Sequence, residues 1–175
     1  QPAEPKNVDV DGIVRGIYKY NAAAQKRDLN AQILASGVGV NWAIKAQKLL
    51  LEDWGVAADL WSVTSWNELR RDGLEVDRHN MMNPESPRTA YITTKLAGSV
   101  GPVIAVSDFM RAVQDQVAPW VANPFTSLGT DGFGLSDTRG ALRRHFRVDA
   151  ESIVVATLAS LVREGKVQVA TLRAA

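Results

Sequence analysis

Short apolar runs punctuate the chain at regular intervals, and each is bounded by turn-forming residues. Runs of four to eight apolar residues in this setting are typical of buried strands. One further segment, residues 16–21, alternates apolar and polar side chains, which predicts a half-exposed edge strand. The four predicted buried strands are residues 31–35, 56–63, 102–106 and 125–128.

Between these runs, apolar residues recur every three or four positions, which predicts helices. Ala43, Ala46 and Leu50 illustrate this spacing in the segment that follows the first buried run. Capping residues and glycines indicate where the helices begin and end. The predicted helices are residues 40–53 ended by Gly55, a helix with a Ser65/Glu68 capping box ended by Gly73, residues 76–82, residues 88–98, a helix capped by Ser107 or Asp108, residues 137–146 capped by Ser136 or Asp137, and a helix capped by Asp149 and ended by Gly165.

This alternation of strands and helices predicts an α/β fold in three layers. We expect a mostly parallel sheet of about five strands, with helices on both faces and the segment 16–21 as one antiparallel edge strand. Residues 1–10 are polar and contain Pro2 and Pro5, so they are predicted to form a linker from a preceding domain. The folded domain is predicted to cover residues 11–175.

The composition narrows the function classes. The chain has 175 residues, 46% hydrophobic and 22% charged, which suits one soluble globular domain. Its net charge of +1 gives no electrostatic footprint for nucleic acid, and it contains no apolar run long enough for a membrane span. The absence of cysteine excludes disulfides and thiolate zinc sites and suits a reducing cytoplasm. We therefore expect a cytoplasmic protein that binds neither nucleic acid nor membrane.

The densest group of turn and helix-start signals lies at residues 128–146, LGTDGFGLSDTRGALRRHF. Gly129, Gly132 and Gly134 lie within six positions, between a predicted strand and a predicted helix. Such a junction lies at the carboxyl end of the strands, where open α/β sheets usually bind ligands. The alternative is a tight turn with a structural role only.

Several blocks of this sequence resemble one enzyme family, in the same order. The segment GTDGFGLSDTRGALRRHFRVD resembles the last domain of the homodimeric pyruvate dehydrogenases of bacteria. The segments DLWSVTSWNELRRDG, ILASGVGVNWAI and GIVRGIYKY resemble other parts of that domain and its entry segment. The resemblance covers most of the chain and implies a C-terminal domain like that of transketolase.

The resemblance implies a thiamine-diphosphate enzyme that oxidatively decarboxylates pyruvate with the help of Mg²⁺. In that family the acetyl group passes to the lipoyl group of the dihydrolipoyl acetyltransferase component, and the enzyme is a homodimer. A Gly-Asp-Gly element with a downstream asparagine would hold the magnesium, but Asp131-Gly132 follows Thr130 and no asparagine occurs after Asn123. We therefore expect a structural and assembly domain without catalytic, cofactor or metal residues, inactive alone and joined to preceding domains of its polypeptide.

Other catalytic signatures fail on spacing. Gly37 and Gly39 follow a strand, but a dinucleotide fingerprint needs a third glycine where the chain has Trp42. The order Gly134-Leu135-Ser136-Asp137-Thr138 lacks the final glycine of a serine-hydrolase elbow. A rival hypothesis remains, in which the chain is a free-standing module that binds an anion or nucleotide at the turns of residues 36–41 and 129–137.

The candidate site residues lie mainly at the two glycine-containing turns. His145 is expected to bond across a domain contact or cap its helix, with a role toward substrate as the alternative; His79 is expected to face solvent. The arginines at 139, 143, 144 and 147 either pair with Asp131, Asp137 and Asp149 or form an anion site with the helix N-terminus near Ser136. The predicted cleft or domain-contact residues are Ser36, Gly37, Gly39, Ser65, Asp131, Gly132, Ser136, Asp137, Arg139 and His145.

Overall fold

A computed structural model describes residues 2–175, which form eight α-helices and five strands in alternation. The first residue of the predicted linker, Gln1, lies outside the described residues. The helices are α1 (Val10–Arg15), α2 (Gly39–Trp54), α3 (Trp66–Met82), α4 (Tyr91–Lys95), α5 (Arg111–Asp115), α6 (Arg139–Phe146), α7 (Ala150–Arg163) and α8 (Val169–Arg173). The strands are β1 (Ile17–Asn21), β2 (Leu29–Ala35), β3 (Val56–Val63), β4 (Val103–Val106) and β5 (Phe125–Leu128).

The five strands form one mixed sheet in the order β1-β3-β2-β4-β5. The strands β2 to β5 run parallel, and β1 pairs antiparallel with β3 at one edge, with Ile17 opposite Val63. This confirms the predicted sheet, including its antiparallel edge strand. Because β3 and β4 lie on opposite sides of β2, the chain reverses its direction of winding between β2 and β4.

The core has two halves, one on each face of the sheet. Alternate residues of a strand point to opposite faces, so Ile33 packs in the cluster formed with α2 and α7, while its neighbour Leu34 packs in the cluster formed with α3 and α4. Ile104 and Val103 divide between the two clusters in the same way. The predicted three-layer arrangement is therefore confirmed.

The end of α2 and the start of α7 lie where the sequence signals predict them. Gly55 ends α2 in a left-handed conformation, and the Asp149 side chain accepts the Ser152 N–H at the start of α7. Ser65 accepts the Glu68 N–H at 3.1 Å, but Glu68 pairs with Arg71 instead of returning to Ser65. Only half of the predicted capping box is therefore formed.

The predicted helix end at Gly73 is wrong, because α3 continues through it as one helix of 17 residues. A Cβ atom at position 73 would lie 2.4 Å from ring atoms of Trp120, so the glycine provides space for the indole. The Trp120 Nε1–H donates to Asp77 on the same helix at 3.0 Å, which holds the ring there. Gly73 therefore does not end the helix; it is needed for the packing of Trp120 against α3.

Two other predicted helices are shorter than expected. The helix predicted over 88–98 is reduced to α4, because the Asn80 side chain bonds both the N–H and the carbonyl of Arg88 and keeps its backbone outside a helix. The predicted Ser107 or Asp108 cap is also wrong. Ser107 accepts the Phe109 N–H in a local turn, and α5 begins only at Arg111.

An ion pair ties the start of the chain to α4. Lys95 Nζ lies 2.5 Å from the Asp9 carboxylate, which also accepts the Gly12 N–H as the cap of α1. The hydrogen bond from Lys95 lowers the pKa of Asp9, and the same bond raises the pKa of Lys95. The Asp9 carboxylate therefore favours its charged form in the folded protein.

Replacing Gly73 by Ala tests the contact with Trp120. We expect the free energy of unfolding to fall by about 1–3 kcal/mol, because the methyl group overlaps the indole ring. The matched control is Gly140→Ala on α6, where nothing lies within 4 Å of the added Cβ; it should be neutral or stabilising by up to about 1 kcal/mol. Urea unfolding of both variants measures the difference. Equal stabilities would contradict the packing role.

Replacing Asp9 by Asn tests the ion pair, because asparagine keeps the helix cap and removes the charge. A carboxylate with a lowered folded pKa contributes stability above its unfolded pKa of about 3.9 and loses it as pH falls through the folded value. We expect Asp9→Asn to cost about 0.2–1 kcal/mol at pH 7, since the pair is partly exposed. The difference from wild type should disappear toward pH 3. Unfolding free energies across this range, with Asp11→Asn as control, measure it; a pH-independent difference would contradict the assignment.

Candidate functional site

The loops that follow the parallel strands converge at the carboxyl edge of the sheet. Ser36 follows β2, Ser107 follows β4 and Gly129 follows β5. The switch in winding direction lies between β2 and β4, and a crevice outside such a point is the usual ligand site of an open α/β sheet. Two cavities flank the β2–α2 turn at this point.

The larger cavity, of about 860 Å³, is lined by Ser36, Gly37 and Ser65 together with aromatic side chains. The hydroxyl groups of Ser36 and Ser65 already have structural partners. The Ser36 Oγ accepts the buried Trp66 Nε1–H at 3.0 Å, and Ser65 caps α3. The structure brings these three predicted residues to one cavity, but the polar atoms of the two serines stabilise the fold, and a contact with another domain stays a prediction.

The second cavity, of about 460 Å³, lies between α2, α6 and the loops after β4 and β5. Gly39 and Thr130 both line it, so it unites one residue from each predicted turn, and Arg139 of α6 lines it beside them. The guanidinium of Arg143 lies 4.9 Å from the centre of the Trp42 ring at one wall. Trp42, which argued against dinucleotide binding, is thus part of this cavity.

The turn between β5 and α6 is exposed from Asp131 onward. Asp131 accepts the N–H of Arg111, the first residue of α5, at 3.0 Å and so caps a helix 20 positions earlier. Gly132 has a φ of 95°, a left-handed conformation that favours glycine. A Cβ atom at Gly129 would lie 2.5 Å from the Phe109 carbonyl oxygen. Two of the three glycines of this turn, Gly129 and Gly132, are therefore explained by the structure.

The predicted cap of α6 is wrong by one or two residues. Thr138 is the cap, with its Oγ1 accepting the Ala141 N–H at 3.3 Å. The Asp137 carboxylate instead accepts the Thr138 N–H at 2.6 Å, and Ser136 is exposed. A threonine, an aspartate and a serine in succession all favour this position, and only the folded chain selects among them.

The two histidines have different settings. His145 lies exposed in the last turn of α6, with its ring edge-to-face against Phe146 at 4.9 Å. Its contact with another domain stays a prediction. The expectation that His79 faces solvent is wrong, because His79 is half-buried and its Nε2 bonds the Ser86 carbonyl at 2.9 Å.

The arginines of α6 divide between two environments. Arg144 Nε lies 2.6 Å from Asp149, and its Nη2 lies 3.3 Å from Glu151. Glu151 also bonds Lys45, which lowers the pKa of Glu151. Of the three predicted ion-pair partners, only Asp149 is used. Within residues 2–175, Arg139 and Arg143 have no carboxylate within 4 Å.

The first turn of α2 is not a free anion site. The N–H groups of Gly39, Val40 and Asn41 donate to the carbonyls of residues 36, 37 and 38 at 3.0–3.4 Å. A helix N-terminus binds anions through unsatisfied N–H groups, and these three are already paired. The turn alone therefore offers little to a phosphate.

The residues present do not fit a magnesium–diphosphate group on their own. Such a group needs several oxygen ligands around a hard cation. Across residues 2–175, no three His, Asp or Glu side chains are grouped so that they could hold a metal ion. At the carboxyl edge the Asp131 carboxylate already accepts a hydrogen bond from the Arg111 N–H.

Sequence reasoning missed several residues of the smaller cavity. Leu142 and Phe146 are four apart on α6 and line it beside Arg139 and Arg143. This i, i+4 spacing of an apolar pair and a basic pair is visible in the sequence. In contrast, nothing local indicates that Thr130 and Asp108 join the same cavity from two other loops.

The architecture defines a three-layer α/β domain with a mixed five-stranded sheet, and comparison with known proteins identifies its family. Residues 16–149 match the family described as "Transketolase-like TK C-terminal domain". The chain belongs to this family. This confirms the resemblance found in the sequence motifs.

Curated relatives of high identity carry one name. The chain is 54% identical over 168 residues to the pyruvate dehydrogenase E1 component of Mycolicibacterium smegmatis and 52% identical to that of Mycobacterium tuberculosis. It is 40% identical to the protein of that name in Escherichia coli K12. Each alignment covers 95% of this chain and 18% of the relative. The chain therefore spans less than a fifth of the length of these relatives.

Solved structures show the same fold at low identity. Transketolase from Leishmania mexicana matches with a TM-score of 0.58 and 20% identity, covering 90% of this chain and 20% of that one. Transketolase from Campylobacter jejuni matches with a TM-score of 0.58 and 18% identity, with the same coverage. These likenesses support the α/β architecture and carry no further argument.

Replacing Ser36 by Ala tests whether this residue is structural. We expect a loss of about 1–3 kcal/mol in unfolding free energy, because the buried Trp66 Nε1–H would lose its acceptor. The control Ser136→Ala, in the exposed turn, should stay within about 0.5 kcal/mol of wild type. Chemical denaturation measures both. A neutral Ser36→Ala would mean that its hydroxyl is free for another role.

Proposed function

We propose that this chain is the C-terminal domain of a homodimeric pyruvate dehydrogenase of the acetyl-transferring type. The whole enzyme would decarboxylate pyruvate on thiamine diphosphate with Mg²⁺ in the cytoplasm and acetylate the lipoyl group of the dihydrolipoyl acetyltransferase component. The identity of 54% over 95% of the chain, to a protein named pyruvate dehydrogenase E1 component, supports this proposal. When bound in the whole enzyme, the coenzyme supplies the decarboxylation chemistry.

Within that enzyme, the domain acts in structure and assembly. The observation that carries this role is a group of exposed apolar side chains at the carboxyl edge, which we call the apolar edge. Exposed apolar side chains that are concentrated at one edge of a domain favour contact with a partner. Phe133 is 94% exposed, more than any other large apolar side chain described. The apolar edge consists of Val38, Phe109, Met110, Phe133 and Leu135.

The partner of the apolar edge is another part of the same polypeptide or of its second copy in the homodimer. Relatives of this chain are more than five times its length, so they contain ample further surface. Polar groups beneath the edge hold its loops in place, as when Thr130 N–H and Oγ1–H donate to the carbonyls of Phe109 and Asp108 at 2.9 and 2.6 Å. Exposed apolar side chains next to these anchored loop residues suit a domain contact.

The linker and domain boundaries fit the same proposal. Residues 1–10 enter from the preceding domain, and residues 11–175 form the transketolase-like domain. The Tyr20 hydroxyl donates to the Ala3 carbonyl at 2.9 Å, and Asp9 binds Lys95, so the entering segment is held against the domain. Among residues 2–175, no helix has the length and apolar character needed to cross a membrane.

The rival hypothesis of anion binding at the two turns receives less support. The paired N–H groups of α2 remove the donors that such a site would use. Calorimetry with this chain separates the hypotheses, since the assembly role predicts no binding of thiamine diphosphate and no turnover of pyruvate. Micromolar binding of a phosphate compound that is abolished by changes in residues 36–41 but unaffected by Arg143→Gln would favour the rival.

Replacing Phe133 by Ser tests the assembly role. In the isolated chain the change should stay within about 0.5 kcal/mol, because the ring makes no core contact. In the full-length enzyme we expect the dimer to dissociate about ten- to a hundredfold more readily or the midpoint of thermal unfolding to fall, since about 1.5–3 kcal/mol of aromatic burial is lost. Analytical ultracentrifugation and thermal unfolding measure both.

The control for this experiment is Met81→Ser. It removes a side chain that is 79% exposed in the last turn of α3 and is not part of the apolar edge. It should leave assembly unchanged. A second test replaces Asp131, Ser136 and Arg139 by Ala in the full-length enzyme. If these changes and Phe133→Ser all leave dimerisation, thermal stability and activity unaltered, the carboxyl edge has no part in assembly.

A further inference from the structure

We propose that the smaller cavity, between α2 and α6, binds a small organic anion that consists of an apolar or aromatic body with one carboxylate or phosphate group. Its volume of about 460 Å³ lies within the range of small-molecule sites, roughly 300–1,000 Å³. It opens beside the β2–β4 switch point, the usual position for ligands in this class of sheet.

The charge at one end of the cavity points to an anion. Arg139 and Arg143 are four residues apart on α6 and both line the cavity. Neither has a carboxylate within 4 Å in the described part of the chain, whereas the adjacent Arg144 binds two carboxylates outside it. Guanidinium groups match carboxylate and phosphate oxygens with paired hydrogen bonds. The pair therefore forms the anion-binding end.

The wall beside these arginines is apolar and partly aromatic. Leu142, Phe146 and Val148 line it, and Trp42 completes it with its ring 4.9 Å from the Arg143 guanidinium. An apolar wall excludes water from the anion's hydrogen bonds and so strengthens them. It also provides a contact surface for the ligand's body, which a bare inorganic anion would not use.

The opposite end of the cavity fixes the orientation of the ligand. Ser107 is 1% exposed, and its Oγ accepts the Phe109 N–H at 3.0 Å and the Gln114 Nε2–H at 2.6 Å. A serine hydroxyl has two acceptor positions and one donor, so its O–H remains available for an acceptor on the ligand. The neighbouring Asp108 carboxylate repels negative charge, so the anionic group points toward α6.

This site is tested separately from the assembly role. The apolar edge and the cavity share Val38, but Phe133, which the assembly test replaces, does not line the cavity, and Arg143, which the binding test replaces, is not part of the apolar edge. Failure of one experiment therefore leaves the other result intact. The dimer assay with Phe133→Ser tests assembly, and direct binding to the 175-residue chain tests the cavity.

Isothermal titration calorimetry with four probes tests the proposal. Adenosine monophosphate and 1-naphthoate carry an apolar body with a phosphate or a carboxylate; inorganic phosphate has the charge alone, and adenosine has the body alone. We expect at least one of the first two to bind with a Kd below about 1 mM and at least about tenfold more tightly than phosphate and adenosine. Which of the two binds distinguishes a phosphate from a carboxylate ligand.

Matched arginine variants locate the binding. Arg139→Gln and Arg143→Gln should each weaken binding about tenfold or more, because each removes a charged hydrogen-bond donor. Arg144→Gln, on the same helix but outside the cavity, should leave the Kd unchanged. Arg143→Gln removes the contact with Trp42 and could change the packing of α6. Arg139 makes no ion pair in the described part of the chain, so we expect Arg139→Gln to stay folded and to test binding separately.

The proposal is overturned if neither adenosine monophosphate nor 1-naphthoate binds with a Kd below about 1 mM, or if neither of them binds at least about tenfold more tightly than phosphate and adenosine. It is also overturned if Arg144→Gln weakens binding as much as Arg139→Gln does. Circular dichroism of each variant confirms that the comparison is between folded proteins.

Discussion

The structure depends on the burial of its central strand on both faces. Every residue from Ala31 to Ala35 is buried, and β2 pairs with parallel neighbours on both sides. A parallel strand of this kind needs a layer of helices above and below it, so α2 and α7 cover one face and α3 and α4 the other. Because β2, β3, β4 and β5 all run in the same direction, the loops that follow these four strands lie at one edge of the sheet.

Most polar groups at that edge stabilise the loops rather than offer themselves to a substrate. Ser36 accepts the Trp66 indole N–H, Ser107 accepts a backbone and a carboxamide N–H, and Asp131 caps α5 from another loop. Buried polar groups without partners are costly, and these contacts remove that cost. The distinctive features of the edge are therefore its exposed apolar side chains and, within residues 2–175, Arg139 and Arg143, which have no carboxylate within 4 Å.

These features suit a domain within a larger enzyme. An exposed phenylalanine at this edge favours a contact with another domain, and the cavity proposed to bind a small anion lies next to it and shares Val38 with the apolar edge. Curated relatives extend far beyond the region that this chain matches, so most of their surface belongs to other parts of the polypeptide. The Arg143–Trp42 contact joins α6 to the core helix α2, which links the loop region physically to the sheet.

Features that depend on neighbouring residues were predictable from the sequence. Apolar runs gave the positions of the strands, with β5 placed correctly at Phe125–Leu128, and Gly55 and Asp149 marked helix ends because capping bonds are local. The motif resemblance was also sound, because it compares order and spacing along the chain. The family match at residues 16–149 confirms it.

Contacts between distant positions needed the tertiary structure. Gly73 has the sequence appearance of a helix end, yet it makes room for Trp120, which lies 47 positions later. The cap of α5 comes from Asp131, and the anion-binding end of the cavity becomes visible only when α6 packs beside Trp42. Local propensity states which conformations a segment prefers, but packing selects its partners, and partner choice is what gives a side chain its role.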